Sequence, residues 1–369
     1  MNRWKDYVYV EAYTAINLGD DLFLYSLFDR YPDTLFLICG NKVYEDAFRK
    51  YKNVKVLNST IEKAATVIDE KLKIVNHSVK NRLASKTRAT IFIGGSIFIE
   101  PYKPKLNNKL YGIKPLFIIG ANFGPYHSMD YLSYCKEYIE TAADVCFRDK
   151  KSEHLFHELN NIRYAPDIVF SYFKKRYHNL QNGNGMFISV MNFAKSNPKL
   201  SRYQTNYEKF IISTIRDGLR KEEPIRLASF CKREGDEQAI ESIMGAFSED
   251  EKNHIILCRY NGINVDEILN QIASSEYVIG TRFHSIVIGL AFQKKVLPIS
   301  YSEKTDEMLR DLSLLSYSIH LPVINKVSEI QYAQISKLQM ETIEKLSDSQ
   351  FLAVDNYLMS IKDDFHARK

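Results

Sequence analysis

The feature that most constrains this chain is a repeated rhythm: a short apolar run, a glycine-bearing or polar loop, then a helical stretch. Tyr7–Tyr13 alternates like a strand and enters Asn17-Leu18-Gly19-Asp20-Asp21, after which a helix runs to about Tyr31. Thr34–Cys39 and Val54–Leu57 read as further strands. Thr90–Ile93 leads into Gly94-Gly95, Leu116–Gly120 into Ala121-Asn122-Phe123-Gly124-Pro125, and Asp144–Phe147 into Arg148-Asp149 and a helix. Strands without a polar face, separated by helices, predict parallel sheets with helices on both sides.

The rhythm breaks once, at the polar stretch Lys174–Gly185, which contains Gln181-Asn182-Gly183-Asn184-Gly185 and reads as a linker. It then restarts with strands at Met186–Met191, Ile225–Phe230, Ile255–Cys258, Tyr277–Ile279 and Val296–Ser300, alternating with helices. Polar helices are expected from about Val327. For 369 residues the prior is two domains. The expected organisation is an N-terminal Rossmann-like domain over 1–178, a second over 186–325, and C-terminal helices over 326–369 that pack back on the first. Two such halves resemble the glycosyltransferase-B architecture, α/β with a ligand cleft between the domains. In open parallel sheets ligands bind at strand carboxyl ends.

Composition narrows the class. Hydrophobic residues make up 45% and charged residues 26%, which excludes a disordered or fibrous chain. A net charge of +5 is too weak to demand nucleic acid but suits an anionic substrate or an anionic membrane surface. The cluster Lys80, Arg82, Lys86 and Arg88 carries no nucleic-acid motif, so no nucleic-acid partner is expected, and peripheral membrane contact stays open. Five cysteines without a C-x-x-C pair read as reduced core residues. No signal-peptide pattern or apolar run of about 18 residues is visible, so a cytoplasmic location is expected, the inner membrane face included. His154 and His157 stand three apart, not at the zincin spacing, and no metal site is expected.

Two loops stand out chemically. In Tyr277–Gly289 a strand ends at Gly280 and an apolar helix opens at Phe283. Arg282 and His284 therefore stand where free N–H groups and the positive end of the helix favour an anion, with Thr281 as a candidate N-cap. Arg148 ends another strand and opens another helix, which Asp149 is placed to cap. Arginine there grips carboxylate or phosphate bidentately. The loops of Asn17–Asp21, Gly94-Gly95 and Asn122 follow strands in the same sense and permit close ligand approach. Asp20 and Asp21 are open to three roles, sugar binding, base or helix cap, with capping the default. Lys304, after a further strand, offers another cation.

Together these motifs resemble the polysaccharide pyruvyl transferase family. The pieces are Asn17-Leu18-Gly19-Asp20-Asp21, Gly94-Gly95-Ser96-Ile97-Phe98, Gly120–Pro125, Phe147–Ser152, Ala165-Pro166-Asp167, Ile279–Ser285 and Tyr301–Lys304, in order from Asn17 to Leu312. The resemblance implies transfer of pyruvate from phosphoenolpyruvate to a sugar of a surface polysaccharide or its lipid-linked precursor, as a ketal, with no further cofactor. It makes Arg148 and His284 the expected catalytic residues, and a side chain that titrates near neutrality suits His284 to the role of general acid. Arg282, Lys304, Asn17, Asp20, Asp21, Gly94, Gly95, Asn122, Thr281 and Ser285 form the candidate substrate-binding set. Relatives often carry arginine where this chain has Met191; if that arginine touches the donor, this chain must recruit another cation. Residues 52–90 match no motif and are a candidate for acceptor choice. Two other readings remain: a nucleotide-sugar glycosyltransferase of the same fold, disfavoured because Phe283–Phe292 offers no carboxylate for a ribose, and a non-catalytic sugar-binding protein.

Overall fold

The computed structural model describes residues 4–58, 79–101, 115–173 and 183–367. Most of the expected linker and much of the segment 52–90 lie outside the described residues.

The strands form two all-parallel sheets. In the first, β1 (Tyr7–Glu11), β2 (Leu35–Gly40), β3 (Val54–Asn58), β4 (Ala89–Ile93), β5 (Leu116–Ala121), β6 (Asp144–Phe147) and β7 (Ile162–Tyr164) take the order β3-β2-β1-β4-β5-β6-β7. In the second, β8 (Met186–Ser189), β9 (Ile225–Ser229), β10 (Ile255–Arg259), β11 (Tyr277–Gly280), β12 (Lys295–Ser300) and β13 (Ile319–His320) take the order β10-β9-β8-β11-β12-β13. Each order reverses once, beside β1 and beside β8, which is the doubly wound Rossmann topology. The expected α/β class with two Rossmann-like domains is the fold observed.

The chain divides into two compact units. One comprises Met1–Thr14, Phe23–Ile168 and Lys345–Lys369; the other comprises Ala15–Leu22 and Val169–Glu344. The grouping departs from the sequence boundaries in three places: the second unit begins at Val169, it keeps residues 326–344 so that only Lys345–Lys369 joins the first unit, and it takes Ala15–Leu22, the start of the helix Leu18–Arg30 included. There Leu18 N–H donates to the Phe230 carbonyl at 3.2 Å.

In the first unit Ile118, Val145 and Phe147 of the sheet pack with Tyr138 and Ile139 of the helix Met129–Glu140. In the second, Ile188, Leu227, Ile279 and Leu297 pack with Ile211, Ile215 and Ile240 of flanking helices. All these side chains are fully buried, at roughly 1.5–3 kcal/mol each. All five cysteines are buried and unbridged. The region after Val327 differs from expectation. It runs without helix to Ser336, with Ala333 bridging Val296 antiparallel, and helix resumes only at Lys337–Asp348 and Leu352–Ala367. Among the described residues no helix is long and apolar enough to cross a membrane.

Candidate active site

The nominated residues fall into two groups, one in each unit. In the first unit Arg148 follows β6 directly. Its backbone N–H donates to the Ala121 carbonyl at 2.8 Å, which places it at the carboxyl end of β5. Its side chain is only 3% exposed, and its guanidinium pairs with Asp167 at 2.9 Å through Nη1 and donates from Nη2 to Asn122 Oδ1 at 2.6 Å. It also lies flat over Gly95, where a Cβ would come within 2.5 Å of Cζ. Gly95 is therefore needed for close approach of a side chain of this same chain. Gly94 precedes it and is buried. Asp149 is a helix N-cap, accepting from Ser152 N–H at 2.7 Å. A fixed, desolvated guanidinium presents its charge without rearranging first, which is what transition-state electrostatics needs.

In the second unit the β11-to-helix turn is built on Ser189, the last residue of β8. Its Oγ accepts from the N–H of Thr281 at 3.0 Å and of Arg282 at 3.2 Å. It also lies 2.6 Å from Ser285 Oγ, which donates to the Arg282 carbonyl at 2.7 Å. The Thr281 hydroxyl bonds Tyr207 Oη at 3.0 Å. Thr281 and Ser285 are fully buried, and their hydroxyls hold the turn. Thr281 is not the N-cap. That position falls to Arg282, whose side chain makes no capping bond because it is drawn elsewhere.

Arg282 Nε donates to Asp236 at 2.9 Å, Nη2 pairs with the same carboxylate, and Nη1 pairs with Glu234. Asp236 is fully buried and also accepts the N–H groups of Phe230 and Cys231. Burial alone would lower the Arg282 pKa, yet the two carboxylates raise it well above its ordinary value. Glu234 is 32% exposed at its side chain. Burial pushes its pKa up, but Arg282 and Lys304 outweigh that and hold it below the usual range. Arg282 is thus a cation clamped by two carboxylates. Lys304 stands 5.7 Å from the centre of the Phe283 ring, at the same end of the helix Phe283–Ala291.

His284 is half-buried, edge-on to Phe283 at 5.1 Å. Its ring lies against Gly19, where a Cβ would meet the imidazole, with Cε1 only 2.6 Å away. The loop Asn17–Asp21 thus reaches the histidine. Asn17 Oδ1 accepts from Gly19 N–H at 3.2 Å, and Tyr260 Oη donates to the buried Asp21 at 2.8 Å. Asp20 is half-buried in the helix's first turn. Met191 points into the core of the second unit. Among the described residues no cluster of histidine, cysteine or carboxylate is arranged to hold a metal ion.

Sequence reasoning did not nominate Gly19, Asp167, Ser189, Tyr207, Glu234 or Asp236. Gly19 and Asp167 stood inside quoted motifs. The others carry no local signal.

Residues 17–303 match a family described as "Polysaccharide pyruvyl transferase". Over 250 residues the chain is 21% identical to the amylovoran biosynthesis protein AmsJ of Erwinia amylovora, covering 61% of this chain and 60% of that protein. The match thus spans less than two thirds of that curated relative. Among solved structures the chain resembles the S. aureus MnaA–UDP co-structure (TM-score 0.57, 12% identity, 98% of this chain and 97% of that chain). It also resembles the UDP-GlcNAc 2-epimerase of Methanocaldococcus jannaschii (TM-score 0.50, 9% identity, 92% and 97%). At such identities these likenesses speak to fold alone.

Proposed function

The chain belongs to the polysaccharide pyruvyl transferase family, and from that premise we propose that it moves pyruvate from phosphoenolpyruvate onto two hydroxyls of a saccharide as a ketal. The acceptor in this reading is a sugar of a surface polysaccharide or its lipid-linked precursor, met in the cytoplasm or at the inner membrane face.

The chemistry balances without a redox partner. A proton goes to the donor's methylene carbon, which becomes the methyl group. A sugar hydroxyl attacks the resulting oxocarbenium-like centre, phosphate leaves with the C–O bond pair, and a second hydroxyl closes the ketal. The two hydroxyl protons balance the one on the methyl group and the one on phosphate. In this scheme His284 delivers the carbon proton, since its unperturbed pKa lies nearest neutrality. Arg148 holds negative charge on the donor from a preset position. Lys304 supplies the cation that Met191 does not.

The observation that carries this reading is the seat of His284: its imidazole, in the first turn of the helix Phe283–Ala291, packs on Gly19, and Lys304 stands at the same end, 5.7 Å from the Phe283 ring. A proton donor and a cation at one helix terminus suit a donor with both carboxylate and phosphate.

The test is phosphoenolpyruvate-dependent phosphate release coupled to ketal formation on a saccharide acceptor. Phosphoenolpyruvate at 100 times its Kd should stabilise the fold by about 2.7 kcal/mol. His284→Gln should lower the single-turnover rate about 10²–10⁴-fold at saturating donor. Stabilisation by UDP with none by phosphoenolpyruvate would refute the donor, and a near-wild-type rate in the variant would remove the acid from His284.

A further inference from the structure

The Arg148 group rests on a part of the chain outside the family match. Gln350 lies in the short turn Ser349–Phe351, between the last two helices, and is fully buried within the first unit. Its side-chain amide touches the ends of three neighbouring strands. The Oε1 atom accepts from Gly120 N–H at 2.9 Å. That N–H is available because the β5–β6 register shifts between Ile119 and Ala121, where Gly120 has φ of 75°. The Nε2 atom donates to the Ala165 carbonyl at 2.7 Å and the Pro166 carbonyl at 3.2 Å, with the Phe147 carbonyl at 3.5 Å. Three residues back, Ser347 Oγ donates to the Asp167 carbonyl at 2.6 Å.

Those contact points sit beside the residues that hold the guanidinium. Phe147 immediately precedes Arg148, Pro166 precedes Asp167, and Gly120 lies two residues before Asn122. Arg163 fixes the turn in its place. It grips Asp144 through Nε at 2.7 Å and Nη2 at 2.9 Å, and donates to the carbonyls of Ser349 and, at 2.7 Å, Gln350. One buried amide therefore ties together the three strand ends whose loops supply Asn122, Arg148 and Asp167.

We propose that Gln350 is a positioning residue for Arg148, so that the C-terminal segment sets the geometry of the anion-gripping guanidinium. Its effect on turnover rests on the function proposed above. Its effect on geometry does not, and the two are separable by measurement.

In the full-length protein, Gln350→Met keeps the side chain's length and removes its donor and acceptor. Gln350→Glu keeps the acceptor for Gly120 and removes the donor to Ala165 and Pro166. Tyr357→Phe is the control. It deletes another hydrogen bond of the same segment, to the Arg88 carbonyl at 3.0 Å, at the amino end of β4. Amide hydrogen exchange should quicken at Asn122, Arg148 and Ala165 in both Gln350 variants, with Gly120 still protected in Gln350→Glu, and stay unchanged at all four in Tyr357→Phe. Misplacing a positioned group by about 1 Å costs on the order of 10²-fold. Pyruvyl transfer in Gln350→Met should thus show KM for phosphoenolpyruvate raised about tenfold or more, against under about twofold in the control. Unchanged exchange at Arg148 and Asn122 in both Gln350 variants overturns the proposal. So does quickened exchange with wild-type kcat and KM. A wild-type protein inert toward phosphoenolpyruvate would sink the donor assignment alone, and the exchange pattern would then decide the positioning role.

Discussion

Gly19→Ala is the sharpest perturbation available, because its local and tertiary effects have opposite signs. Gly19 lies in the helix Leu18–Arg30 and is not among the positive-φ glycines, so alanine suits its backbone. Locally the change should stabilise, by about 0.5–1 kcal/mol in a helix. The new Cβ, however, would sit in the His284 imidazole, 2.6 Å from Cε1 where ordinary contact begins at 3.4 Å. The ring must retreat by most of an ångström at that atom and further at those nearer the Cβ. Overpacking of this kind costs about 1–3 kcal/mol. A catalytic group displaced by about 1 Å loses on the order of 10²-fold in rate. The expected outcome is a folded protein, at most about 2.5 kcal/mol less stable, with kcat down about 10²-fold and donor KM little changed. The assay is single-turnover pyruvyl transfer beside urea denaturation, repeated in a His284→Ala background. There the clash is gone, so Gly19→Ala should become neutral or stabilising and cost no further rate. A coupling energy below about 0.5 kcal/mol in that cycle would mark the two sites as independent and refute the reasoning.

Two further outcomes follow from the ion pairs. Arg148→Ala takes away the guanidinium that pairs with the buried Asp167 at 2.9 Å, so it should destabilise by about 3–5 kcal/mol. Adding Asp167→Ala should restore much of that stability in chemical denaturation, while pyruvyl transfer stays lost. The second concerns pH. Glu234 has its folded pKa depressed below the ordinary 4.5, so its stabilisation is complete above that value and is lost as pH falls through the lower folded pKa. The stability gap between wild type and Glu234→Gln should therefore be constant near neutrality and close below about pH 4.5, read from urea midpoints. A gap that widens on acidification would contradict the pairing.

Much of this molecule was legible in the order of its residues. Strands buried on both faces have no polar side to show, so Leu116–Ala121 or Tyr277–Gly280 reads as a short apolar block ending in glycine. The loop behind each block then falls at a strand's carboxyl end, and that alone singled out Arg148, Arg282 and His284. Such features are local: a run of apolar side chains, a glycine, the first turn of a helix. β7 and β13 escaped because three residues in one case and two in the other, Ile162–Tyr164 and Ile319–His320, carry no such run. The partners were a different matter. Asp236 clamps Arg282 from 46 residues away, Ser189 stitches the same turn from 92, and Gln350 reaches Gly120 across 230. Nothing in a sequence window marks a serine at a strand's end as an acceptor for two distant N–H groups, or a glycine as the seat of an imidazole. The chain's pattern determined which strands and loops exist and where their cations stand. Only the parallel pairing of those strands decided which carboxylate, hydroxyl or glycine meets each cation, because such contacts depend on register and close packing between segments that share no local signal.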